Sequence, residues 1–288
     1  MKRSYKFFTI IILYIGTLSS LLAQSNKSDN ITQTDSLLLN KKVVNRAFTV
    51  GEKLHFVVRY GFIHAGTARM EVKELFSYQN RPVYRITSSA RSNGTFDHIF
   101  KVRDSVETWL DAEGLFSWKF VKKLREGGYK FDLNVDYLQE QGLARVHTIR
   151  YESDEPLRIR NQDSLTIKVP YGVLDILSSF YFVRTQRLRP GMPIYITNHD
   201  NKKVYDLKVL VQKRETINTR AGKFRCIVVQ PMLKGEAIFK QKGKLWVWLT
   251  DDEYKIPIQM KSAVFIGNIT TELTKIEGLP LPLPSQLK

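Results

Sequence analysis

The sequence predicts a mainly β protein: an antiparallel meander forming a curved sheet or barrel-like structure from two pseudo-repeated halves, with one apolar helix between them. Three observations carry that expectation. Short alternating segments rich in aromatic and β-branched residues follow one another, separated by turn residues. A single segment, Pro170 to Arg184, places its apolar residues at helical spacing. Landmarks of the first half then return in the same order in the second.

The chain opens with Lys2, Arg3 and Lys6, the apolar run Phe7 to Ile15, and small or apolar residues up to Ala23. That layout predicts a cleavable secretory signal over residues 1–23, because the apolar core is shorter than the ~20 residues of a membrane-spanning helix. Export follows, to the periplasm if the host is Gram-negative. Residues 24–46 are rich in Ser, Asn, Asp, Thr and Lys and read as a flexible leader. The β domain is expected over 47–279, and 280–288 as a tail.

Within the domain, strands are expected at Leu54 to Tyr60, Thr67 to Val72, Val83 to Ser89, Val102 to Leu110, Trp118 to Arg125 and Tyr129 to Tyr137. Asp111-Ala112-Glu113-Gly114 and Glu126-Gly127-Gly128 read as hairpin turns. Apolar residues at 173, 174, 176, 177, 180, 181 and 183 predict a helix over about 172–184. A helix so apolar needs cover, so its expected place is the concave side of the sheet. The repeat pairs Gly51 with Gly191, Tyr84-Arg85-Ile86 with Phe224-Arg225-Cys226, Ile99-Phe100-Lys101 with Ile238-Phe239-Lys240, and Trp109-Leu110 with Trp248-Leu249. Pseudo-repeats over 51–139 and 191–278 follow, with the helix in the connector.

The formal charge is +17, from 45 basic and 28 acidic residues. An excess of that size points to an anionic partner, and export argues against nucleic acid. The lone Cys226 excludes an intramolecular disulfide and sits in a strand-like run, as a buried thiol does. The five histidines lie outside zinc-ligand spacing, and the chain has neither a nucleophile elbow nor a phosphate-cradling glycine loop. No cofactor, metal site or catalytic group is therefore assigned, and the expectation is a protein that is not an enzyme.

Candidate binding residues come from three places. In Trp118 to Arg125, alternation puts Trp118, Phe120, Lys122 and Leu124 on one face and Lys119, Val121, Lys123 and Arg125 on the other. Leu245-Trp246-Val247-Trp248-Leu249 is apolar on both faces and needs cover on both. Phe180 and Tyr181 lie on the helix. A cavity lined by Trp118, Phe120, Phe180, Tyr181, Trp246 and Trp248, with Lys119, Lys123 and Arg125 near its mouth, would hold an amphiphile.

Tyr60-Gly61-Phe62-Ile63-His64-Ala65-Gly66-Thr67-Ala68 resembles the opening motif of an exported bacterial family, domain of unknown function 3108. The resemblance continues in Asp175 to Arg184, in Thr219-Arg220-Ala221-Gly222-Lys223-Phe224, and in Leu249-Thr250-Asp251-Asp252-Glu253. It implies no activity and no site residues. A looser likeness, at the level of fold alone, is to the half-barrels of periplasmic lipoprotein carriers. The first functional expectation is a binding or carrier module for an amphiphilic or anionic envelope ligand such as a lipid, lipoprotein or lipopolysaccharide, with peripheral membrane contact. A non-catalytic envelope scaffold for protein or polysaccharide comes second, and a glycan hydrolase third.

Overall fold

The computed structural model describes residues 42–153, 156–233, 245–263 and 267–288. The predicted signal, residues 24–41 of the leader, and the landmark Ile238-Phe239-Lys240 lie outside the described residues. The strands are β1 (Lys53–Tyr60), β2 (Ile63–Tyr78), β3 (Arg81–Ser92), β4 (Arg103–Asp111), β5 (Ser117–Glu126), β6 (Tyr129–Leu138), β7 (Leu143–Tyr151), β8 (Ile159–Lys168), β9 (Ile194–Asp200), β10 (Lys203–Thr219), β11 (Gly222–Leu233), β12 (Leu245–Thr250), β13 (Pro257–Ala263), β14 (Asn268–Glu277) and β15 (Gln286–Leu287). Two helices interrupt them, α1 (Gly94–Phe100) and α2 (Ile176–Thr185).

The strands form one antiparallel sheet in the order β8-β7-β6-β5-β4-β3-β2-β1-β14-β13-β12-β11-β10-β9, with β15 beside β11. Each half is a meander. The halves join where β1 pairs with β14, so residues far apart in sequence become neighbours. Side chains alternate as the pleat demands. On β4, for example, Asp104, Val106, Thr108 and Leu110 are buried, while Arg103, Ser105, Glu107 and Trp109 are not. The β2–β3 turn is Gln79-Asn80, both at positive φ (50° and 60°), the two-residue hairpin that matches strand twist. The expected turns at Asp111 to Gly114 and Glu126 to Gly128 are also present; the second closes on the Glu126–Tyr129 pair.

Helix α2 packs against the inner face and is held at both ends by buried charge. Asp175 caps it, accepting from the backbone N–H groups of Leu177 and Ser178 at 2.9 Å each. Its other oxygen accepts from Thr108 Oγ1 on β4 (2.6 Å) and Ser117 Oγ on β5 (2.6 Å). Burial pushes the Asp175 carboxyl up, and these donors oppose the shift. At the far end, buried Arg184 makes a two-pronged pair with Glu52, both contacts 2.7 Å, and donates to the Tyr254 carbonyl in the β12–β13 loop at 3.1 Å. Its guanidinium also lies over the rings of Phe48 and Tyr181. The helix thereby ties the first half to the second. One continuous apolar core, from Leu54 and Phe56 through Tyr181 to Ile258 and Leu273, surrounds it.

The helix begins at Ile176 rather than 172. Val173 and Leu174 run extended instead, with Leu174 bridging β9 at Asn198 and the Val173 carbonyl accepting from the Ser117 N–H at 3.2 Å. The apolar spacing there reflects a buried extended segment, and the Asp175 cap marks the true start. Helix α1 was not anticipated; its signal is the N-cap Asn93, which accepts from the Phe96 N–H at 2.8 Å.

Candidate functional site

The expected cavity residues do not converge. Phe120 and Tyr181 are buried in the main core, and Phe180 packs half-buried against it. Trp118 belongs to a separate cluster with Val83 and Phe116, and its indole N–H donates to the Asp111 carboxylate at 3.0 Å. The cause is a bulge: the β4–β5 register slips between Trp109 and Leu110, so Trp118 no longer shares the face of Phe120. Val247 and Leu249 are buried, whereas Trp246 and Trp248 hold the alternate positions of β12 and are half-buried, Trp248 packing against the edge of the main core. The Trp248 indole donates to Glu215 at 2.5 Å.

The expected cationic face of β5 is largely neutralised by its neighbour. Lys119 lies 3.3 Å from Asp136 and Arg125 donates to Asp132 at 2.6 Å, both acids on β6, leaving Lys123 exposed. Lys122 points inward, where its ammonium pairs with buried Asp200 on β9 at 2.8 Å. Asp104 and Glu107 do face opposite sides, Glu107 binding Arg85 and Trp109 outside. Asp252 is spent on its turn, accepting from Thr250 Oγ1 at 2.7 Å and the Tyr254 N–H at 3.0 Å. The Cys226 thiol is buried, which pushes it up to about 12. Among the described residues no group of three or more His, Cys, Asp and Glu converges.

A different place concentrates charge. An open groove of about 760 Å³ crosses β14, β1, β2, β3 and β4. Its cations are Arg69, Arg91, Arg103 and Lys275, with His55 between Lys275 and Arg69, and its small residues are Thr67, Ala68, Ser89 and Ala90. Strand register assembles them: His55 stands opposite both Lys275 and Arg69, Arg69 opposite Ser89, and Arg91 opposite both Thr67 and Arg103. Directly opposed residues lie about 5 Å apart, so these side chains form two adjacent rows. They stand on the side of each strand away from the core, because Leu54, Phe56, Met70 and Val106 occupy the alternate positions. Bulges on both sides of β1, at His55/Phe56 and Val58/Arg59, bend the sheet here. Gly66 is required nearby, since a Cβ on it would meet the Arg91 carbonyl oxygen at 2.1 Å.

Acids steady part of this rim. Arg103 binds Asp97 through two contacts, 2.6 and 3.0 Å, and that pairing, aided by Ser92, lowers the Asp97 carboxyl to about 2. Lys275 lies 2.8 Å from Glu277, and Arg69 lies 2.9 Å from Glu71. Arg91 is exposed and has no side-chain partner among the described residues. Asp104 lines the groove from below, with its carboxyl raised to about 6 by burial. The site can hold an anion by charge and by guanidinium hydrogen bonds; it presents no nucleophile paired with a base. Sequence reading missed it because its charged residues are single positions on separate strands, gathered by the β1–β2, β2–β3 and β3–β4 registers and, for Lys275, by the β1–β14 pairing.

The family model described as Protein of unknown function (DUF3108) matches residues 55–274. Among solved structures, the chain is similar to a β-barrel-like protein of domain of unknown function DUF1849 from Brucella abortus, at 13% identity over 80% of this chain and 98% of that one, with TM-score 0.49. It is also similar to a protein described as exported, with a YmcC-like fold, from Bacteroides fragilis, at 9% identity over 83% and 100% of the two chains, with TM-score 0.35. A third likeness is to a protein described as a lipoprotein from Parabacteroides distasonis, at 12% identity over 82% and 99%, with TM-score 0.33. No curated protein matches.

Proposed function

We propose that this chain, which belongs to the DUF3108 family of proteins of unknown function, is a non-catalytic binding module for an anionic ligand of the cell envelope. The observation that carries the reading is the groove: four cationic side chains and His55 around small residues, one of the cations, Arg91, exposed and unpartnered among the described residues. Guanidinium groups suit phosphate and carboxylate because their planar fork donates two parallel hydrogen bonds. Export, expected from the predicted signal, supports the reading, because lipid headgroups, lipopolysaccharide phosphates and acidic glycans are abundant anions of an envelope. The interior supports binding at the outer groove over enclosure of an acyl chain, since Phe120 and Tyr181 are committed to the core around α2. The non-catalytic reading rests on the acids: Glu52, Asp111, Asp175 and Asp252 are all engaged in holding the fold.

Titration calorimetry with soluble short-chain phosphatidylglycerol, short-chain phosphatidylcholine and inorganic phosphate tests this. Binding of the anionic lipid, weakened about a hundredfold in Arg69→Glu/Arg91→Glu and reduced by salt, is expected. Binding of phosphate alone at equal strength would assign the site to a free anion rather than a headgroup, and no binding of any of the three would overturn the reading.

A further inference from the structure

Phe62, at the tip of the β1–β2 hairpin, is 94% exposed; its neighbour Ile63 is 46% exposed, and Ile99 on α1 is 74% exposed. These three residues belong to one end of the molecule. The Asn93 side chain, which caps α1, donates to the His64 carbonyl at 2.7 Å, and the Asn93 N–H donates to the Ala65 carbonyl at 2.9 Å. Ile99 lies six residues beyond that cap, about 9 Å along the helix axis. His64, His98 and Lys101 are exposed around them, and Arg59 is half-buried at the foot of the hairpin. The acid of this end, Asp97, is already bound to Arg103.

We infer that this end is a membrane-contacting tip: Phe62, Ile63 and Ile99 enter the headgroup region of an anionic bilayer, and the cations Lys101 and Arg59 meet its lipids. A large apolar side chain held fully in water is unfavourable, and its transfer into the interface returns that free energy. The cations add an attraction that reaches about a Debye length and weakens with salt. The shape favours a bilayer over a protein. A stable protein interface buries about 800 Å² on each partner, whereas a hairpin tip and a two-turn helix present three protruding side chains, which insertion can use one by one. Charge agrees, since the chain carries +17, of which only three charges lie in the predicted signal. The inference does not depend on the groove, although Arg103 lines the groove and also holds α1 through Asp97.

Co-sedimentation of protein purified from cells with vesicles of phosphatidylglycerol and phosphatidylcholine, against vesicles of phosphatidylcholine alone, tests it. The wild type should sediment with the anionic vesicles, less so as salt rises. Phe62→Ser/Ile63→Ser, and separately Ile99→Ser, should weaken that partition about tenfold or more while soluble anionic lipid still titrates into the groove as in the wild type. These positions are exposed, so the fold survives the changes. Wild-type protein that stays in the supernatant, or tip variants that sediment as well as the wild type, would overturn the inference. Loss of soluble-lipid binding in Arg69→Glu/Arg91→Glu with an unchanged tip effect separates the two sites.

Discussion

The run β1 to β6 and the run β9 to β14 share a plan and differ in surface chemistry. In each, the second strand is the longest, 16 residues in β2 and 17 in β10, and the third has 12. In each, the register slips directly after a tryptophan of the fourth strand, between Trp109 and Leu110 and between Trp248 and Leu249. Both indoles donate to a glutamate on the outer side, Glu107 at 3.0 Å and Glu215 at 2.5 Å. We propose that the two runs are copies of one six-stranded unit. The copies have drifted: Ile86 faces Thr108, before its tryptophan, whereas Cys226 faces Thr250, after its own. Outward positions differ as well. Where the first run sets His55, Arg69 and Arg91 about small residues, the second sets Lys208 beside Tyr195 and bonds Gln212 to Gln230 at 2.5 Å. Core-facing positions answer to packing, while outward ones are free to take on binding, so two outer faces can differ where the plan beneath them is shared.

The largest test breaks the link between the runs. Arg184→Ala strands Glu52 without its partner and should cost about 3–5 kcal/mol in urea unfolding, whereas Arg184→Met with Glu52→Gln should cost much less. Unfolding should remain one transition, because α2 is common to both runs; two separate transitions would show that they stand apart.

A smaller effect distinguishes the first run by pH. Asp104 has its carboxyl raised to about 6 in the fold against an ordinary 3.8. The folded state therefore holds this proton more tightly, so the contribution is present at low pH and is lost as pH rises from about 4 to 6. The change is about 3 kcal/mol, shared with Glu126, whose side chain hydrogen-bonds Asp104, and Asp104→Asn should flatten it. A wild-type stability that rises through that interval with the same slope as the variant would contradict the assignment.

The smallest test sharpens the equivalence itself. Trp109→Phe and Trp248→Phe each remove one indole hydrogen bond to a glutamate, and each should cost about 1 kcal/mol. Costs differing severalfold, measured by the same unfolding assay, would count against the two runs being copies.

Much of this architecture is local and so was readable. Strands announce themselves by alternation, and the turn at Gly127 by its glycines. The helix was legible from its apolar spacing, and the two charged ends of that segment, Asp175 and Arg184, are its anchors. What stayed hidden depends on pairings that alternation does not encode. One bulge moved Trp118 out of the main core, and the acids of β6 cancelled Lys119 and Arg125. The Asp132 and Asp136 spacing on the Tyr129 to Tyr137 run was the overlooked signal. The groove needed the β1–β14 join to bring Lys275 beside His55, and no segment of the sequence carries that information.

The contrast between the two outer faces can be read in one measurement: native mass spectrometry of protein isolated from its own envelope, in three forms. Wild type and Lys208→Glu, altered on the second run, should both carry an anionic adduct, and Arg69→Glu/Arg91→Glu should arrive without it. An adduct kept by the groove variant, or lost from Lys208→Glu instead, would contradict the assignment of binding to the first run.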